Sequence, residues 1–206
     1  MTHVQDGEAV RRRKAEQSDR TRAALVAVAR ALFAERGYAG TATEEIVQAA
    51  GVTRGALYHH FRDKQDLFEA VYRELQTELR ARIVQATRVE ADVWERVRAG
   101  FHEYLDRSMD PTVQRIVLID APSVLGWERW RAIDGEFALG LLRAGMERLR
   151  QEGVLDAGIS IEHLSHLLLG VVSEASHVIA GAADVPAARR EVGGLVDRFL
   201  DALRAR

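Results

Sequence analysis

Only three prolines, Pro111, Pro122 and Pro186, interrupt this 206-residue chain, and each falls at a break between stretches whose apolar residues recur with the roughly 3.6-residue period of a helix. Proline inside a helix removes a hydrogen bond and clashes with the preceding turn, so its confinement to breaks leaves long segments free to be helical. The chain is therefore expected to be all-α, with about nine helices.

Residues 1 to 17 have no apolar period and carry Arg11, Arg12, Arg13 and Lys14. They read as a flexible basic arm. A first helix is expected from about Asp19 to Arg36, stopped by Gly37, followed by two short helices at about Thr43 to Ala50 and Arg54 to His60. Asp63 then caps a long helix in which Leu67, Phe68, Val71, Leu75, Leu79 and Ile83 keep helical spacing to about Arg88. Further helices are expected over 91–108, from Asp110–Pro111, over 127–151, over 160–182 after Ser160, and over 187–203. The organisation is an arm (1–17), a small module (18–64) and a larger helical domain (65–206).

Composition narrows the chemistry. With 47% hydrophobic residues the chain can bury a core. No apolar run approaches the ~20 residues that span a bilayer, and the basic N-terminus lacks a signal-peptide core; a soluble, cytoplasmic protein with no membrane association is expected. Cysteine is absent, which removes thiolate catalysis, disulfides and cysteine-based zinc sites. The formal charge of −2 hides an asymmetry: residues 1–64 hold 11 Lys+Arg against 8 Asp+Glu, the remainder 18 against 23. A polyanion would meet the positive end.

The stretch GVTRGALYHHFRDKQDLF, residues 51–68, focuses the question. Two short helices joined by a glycine turn, the second basic and aromatic, form the arrangement that lays a helix in the DNA major groove. Gly51 supplies the turn, Thr53 caps the second helix or bonds a phosphate, and Arg54, Gly55 and Ala56 lie nearest the base edges. His59 and His60 point about 100° apart on a helix and cannot chelate one ion together. His59 reads as a phosphate contact, with His60 beside it or packed under the long helix.

The segment GTATEEIVQAAGVTRGALYHHFRDKQDLFEAVY resembles the DNA-binding region of the TetR family of bacterial transcriptional regulators, carried here by Gly51, Gly55, Tyr58, Phe61, Lys64 and Leu67. The resemblance covers about residues 20 to 70. It implies phosphate contacts by Tyr58, His59 and Lys64, the last being one of only two lysines in the chain. Where such chains usually carry Ser or Thr this one has Ala42, so Thr41 with Glu44 is expected to form a capping box and Thr43 to supply the missing hydroxyl. The DNA-contact set expected is Thr41, Thr43, Thr53, Arg54, Gly55, Tyr58, His59 and Lys64.

The resemblance also implies that the C-terminal helices bind a small molecule and that the last two dimerise. Over 160–182, Leu164, Leu168, Val171, Ala175 and Val178 make an apolar stripe, and His163, His166, Gly170, Ser173, Glu174 and His177 a polar one. Gly170, Ser173, Gly193 and Gly194 allow close helix approach, which favours a dimer seam. Glu174 and His177 have the E-x-x-H spacing of di-iron bundles, but no second such motif exists in the chain; polar packing is the majority reading of the histidines, ahead of ligand sensing or a single metal. The expected effector set is Phe101, Tyr104, Met109, Asp120, Trp127, Trp130, Phe137, His166 and His177, with no metal and no cofactor. The expectation is a homodimeric repressor, not an enzyme, released from an inverted-repeat DNA operator by a small-molecule effector; the rival is a bundle enzyme or carrier with a vestigial DNA module.

Overall fold

The computed structural model describes residues 2–90 and 92–204, with the side chains of residues 2–10 and Val89 outside that description. Among the described residues the fold is all-α, and counting the continuous segment 111–125 once gives nine helical stretches. They are α1 (Thr2–Arg36), α2 (Thr43–Ala49), α3 (Arg54–His60), α4 (Lys64–Val89), α5 (Val93–Arg107), α6 (Pro111–Val113) running through a π-helical turn (Gln114–Asp120) into α7 (Ala121–Leu125), α8 (Trp127–Gln151), α9 (Ile161–Ala180) and α10 (Val185–Asp201). The chain divides into two compact units between Tyr72 and Arg73, inside α4.

In the first unit α1 buries Leu25, Val26, Ala29 and Phe33 against Ile46 of α2, Leu57 of α3 and Leu67, Phe68 and Val71 of α4. Phe33, Tyr38 and Phe68 meet with ring centroids 5.3 to 5.8 Å apart. Removing a fully buried ring such as Phe33 costs about 3–5 kcal/mol. Gly37 (φ 73°) ends α1 and Gly51 (φ 65°) makes the turn between α2 and α3, both in the left-handed region that side chains resist.

Two local expectations are corrected here. The helix expected from about Asp19 runs back to Thr2, so the described part of the 1–17 arm is helical; Met1 lies outside the described residues. Residues 11–17 are exposed, as their lack of an apolar face demands. Extension of an existing helix needs no new nucleus, and the stretch is rich in Arg, Ala, Glu and Gln and has an Arg12–Glu16 pair at 3.6 Å. The α2 cap is also shifted by one residue. Ala42 is the N-cap, and its N–H donates to the Glu45 carboxylate at 3.0 Å, so Glu45, not Glu44, satisfies the turn.

The second unit packs the later part of α4 with α5, α8, α9 and α10 around Leu79, Trp94, Leu105, Leu149, Leu168 and Ile179. Asp92, Asp110, Ser160 and Asp184 each cap the helix that follows. Pro122 has no N–H to give to the carbonyl four residues back, and the chain enters α7 in the wider register, Ala121 N donating to Ile116 O. Polar ties join α5 to α10. Arg189 donates to Asp106 at 2.7 Å and to His102 Nδ1 at 2.9 Å, leaving His102 Nε2 to donate to Asp197 at 2.9 Å. No helix among the described residues is long and apolar enough to cross a membrane.

Candidate DNA interface and interior cleft

The rotation of α3 is set by one residue. Leu57 is fully buried, so Arg54, Gly55, Tyr58 and His59 face outward and all four are exposed. The Thr53 hydroxyl accepts from Ala56 N at 3.1 Å, capping the helix while keeping its own proton to donate. A Cβ at Gly55 would touch only that hydroxyl, at 3.9 Å, so the face is bare and open to close approach. Arg54 is held from two sides: Nη1 lies 3.1 Å from Glu44 Oε1, and the guanidinium carbon 5.5 Å from the Tyr58 ring centroid. The Glu44 carboxyl is held below its usual range by its own backbone N–H, the Thr43 hydroxyl and Arg54. His59 and His60 lie edge to face, centroids 5.2 Å apart.

Thr41 does not belong to this face. It is buried (1% exposed) and its hydroxyl donates to Gly37 O at 2.8 Å, closing the joint between α1 and α2. Lys64 is tied into the same joint. Its ammonium donates to Tyr38 O and Thr41 O, each at 2.9 Å, and sits 4.1 Å from the Tyr38 ring centroid. Two of its three N–H groups are thereby spent. Thr43, half-buried at the first position of α2, donates to Glu44 Oε2 at 3.1 Å.

The second unit holds a cleft of about 250 Å³ between the end of α4, α5, α8 and α9. Of the expected effector set Phe101 and Tyr104 line it and the other seven residues do not. Met109 packs on the core, and Asp120 is buried with Arg115 Nε at 3.3 Å. Trp127 is 65% exposed, its ring 5.0 Å from that of Trp130, whose buried Nε1 has no partner among the described residues. Phe137 is half-buried beside the lining residue Ala138. His166 is exposed and 3.2 Å from Glu162, while His177 Nδ1 donates to Ser173 O at 2.8 Å. For Trp130 the reason is axial distance. Trp130 shares a helix face with the lining residue Leu141 but lies three turns away, roughly 16 Å along the axis.

Comparison with known proteins decides the family. Residues 25–71 match the model for bacterial regulatory proteins of the tetR family, and residues 94–203 the tetracyclin repressor-like C-terminal domain. The transposon Tn10 TetC protein of Escherichia coli is 34% identical over 146 residues, 71% of this chain and 73% of that protein. The chain belongs to the TetR family of transcriptional regulators. A TetR-family regulator from Pectobacterium atrosepticum, 32% identical, superposes with a TM-score of 0.81 over 93% of this chain and 97% of its own. The transcriptional repressor BepR of Brucella suis is 47% identical over 62 residues, 30% of this chain and 29% of that protein.

As a TetR-family regulator the protein binds DNA, and the exposed side of α3 lies in the matched N-terminal region. Sequence reasoning missed Glu44 as the partner of Arg54, because nothing in the spacing shows that the first turn of α2 reaches α3. It also missed most of the cleft wall. One signal was present: Gly100 and Gly145 stand inside helices, where glycine costs ~1 kcal/mol, and both border the cleft. A Cβ at Gly145 would lie 3.3 Å from Val97 Cγ2 and one at Gly100 3.4 Å from Ile83 Cγ2.

Proposed function

We propose that this TetR-family regulator is a cytoplasmic homodimeric repressor that reads an inverted-repeat operator with α3 and releases it when a small molecule occupies the cleft of the second unit. The observation that carries the reading is the outward row of Arg54, Gly55, Tyr58 and His59 over a buried Leu57. Arg54 is the base-reading side chain, suited to a guanine edge, while Thr43, Thr53, Tyr58 and His59 are placed to meet phosphates. Repression is supported by BepR, matched over the same region.

Two reading heads require two chains. Leu167 and Val178 on α9 and Leu195 and Phe199 on α10 are large apolar residues left 42 to 65% exposed. A second copy packing α9 and α10 as a four-helix seam removes them from water. The effector acts by population shift: a ligand that prefers the non-binding conformer by ~3 kcal/mol weakens operator affinity roughly 150-fold.

The test is fluorescence anisotropy of the full-length protein on a duplex selected from a randomised library, with a scrambled duplex as control. Salt-sensitive binding to a selected inverted repeat, with a clear preference over the scrambled duplex, is expected. Equal affinity for both duplexes overturns specific reading.

A further inference from the structure

The cleft of the second unit has a one-sided charge. Among the described residues its two charged lining residues are Arg96 and Arg148, and no carboxylate lines it. Arg148 pairs with Glu152 at 2.8 Å near the surface. Arg96 differs. It is half-buried, its Nε donates to the carbonyl of Glu90 at 2.6 Å, and among the described residues it has no carboxylate partner.

A guanidinium partly withdrawn from water on an apolar wall is costly without a counter-ion. With Nε engaged, the two Nη groups of Arg96 remain as the fork that takes a carboxylate in two parallel hydrogen bonds. The contact of Gly145 with Val97 places Arg148, one turn past Gly145, and Arg96, next to Val97, at the same end of the cleft. Phe101 and Tyr104 lie further along α5, ~8 to 12 Å from Arg96 along the helix axis. A cavity of ~150 Å³ holds benzene, so about 250 Å³ admits one ring or branched chain with a small head group.

We propose that the cleft binds a compact apolar organic acid, with its carboxylate on Arg96, Arg148 alongside, and its apolar body against Phe101 and Tyr104. The proposal deepens the effector reading above and rests on it.

The experiment titrates the full-length protein with benzoate, phenylacetate and cinnamate and with their primary amides, by calorimetry and thermal shift. The acids are expected to bind at least tenfold more tightly than the amides. In Arg96→Gln, which keeps a donor for Glu90 O, the acids fall to the level of the amides while amide binding is unchanged; Arg148→Gln gives a smaller loss. An unchanged circular dichroism spectrum and melting point in Arg96→Gln separate a lost site from a lost fold. Amides that bind as well as acids, acids indifferent to Arg96→Gln, or no binding by any of the six at millimolar concentration would each overturn the proposal. Anisotropy on the selected duplex, run in parallel, separates the two readings. Acids that bind without loosening DNA leave the anion site standing and sink the effector role, while amides that release DNA as well as the acids do the reverse.

Discussion

Arg54 is engaged before any DNA arrives, by Glu44 on one side and the Tyr58 ring on the other. Exposed ion pairs of this kind add little stability, so the Glu44 carboxylate matters chiefly for what Arg54 contacts next. Arg54→Ala is expected to cost ~1–3 kcal/mol on the selected duplex and little on the scrambled one, since the loss is of base reading. Glu44→Gln is expected to raise affinity for both duplexes, because it removes a negative charge beside the phosphates; competition binding at fixed salt checks the sign. Lys64 was expected to touch a phosphate, and its bonds to Tyr38 O and Thr41 O leave one N–H for that role. With its ammonium given to two main-chain carbonyls, Lys64→Met is expected to destabilise the fold by about 2 kcal/mol in urea denaturation and to leave the salt dependence of binding unchanged. A fall of about one unit in the log–log salt slope would instead show a direct phosphate contact. At this scale the sequence was legible where a residue's neighbours in the chain define its role, as with Thr53 capping α3. It was not legible where the partner comes from another element: the carbonyls that take Lys64 lie 23 and 26 residues upstream.

Helix existence and order were readable from apolar period, caps and glycine stops, since these signals act within a few residues. The start of α1 was not, because a polar stretch is held helical by the helix it continues rather than by a face of its own. Nor was the π-helical turn, which depends on where Pro122 falls relative to a carbonyl it cannot serve. Gly51 provides an element-scale test. Nothing lies within 4 Å of a Cβ placed there, so Gly51→Ala meets no clash and its cost is that of the left-handed backbone alone, about 1–2 kcal/mol by chemical denaturation. Between α4 and α8, Asp134 is buried at 2% exposure, accepts one hydrogen bond from Gln76 Nε2 at 3.2 Å, and leaves its second oxygen without a partner among the described residues. Burial pushes its carboxyl above the ordinary range, against the weaker opposing pull of Gln76, Arg131 and His177. The folded state therefore holds this proton more tightly than the unfolded chain does. Its stabilising contribution is complete below the ordinary carboxylate pKa of ~4 and is lost as pH rises through the raised folded value. Asp134→Asn, neutral at every pH, is expected to flatten that decline; thermal melts from pH 4 to 8 in which both proteins fall in parallel would contradict it.

For the whole molecule, the apolar residues left exposed on α9 and α10 have no covering element among the described residues. Phe199→Asp is expected to give monomers in sedimentation and to abolish binding to the selected duplex, since one reading head holds half a site. Monomers with full affinity would remove the need for paired half-sites. The charge difference between the two parts of the chain and the bare face of α3 point the same way, so the DNA side was legible from the sequence in outline. The cleft was not: its walls come from four helices, and no single helix pattern says which turns will face one another. The joint at Lys64 also has a practical outcome. Of the two lysines in the chain, Lys14 stands exposed on α1 while Lys64 has its nitrogen committed. Between the two lysine side chains, amine-reactive dyes and activated surfaces should attach at Lys14 and spare Lys64.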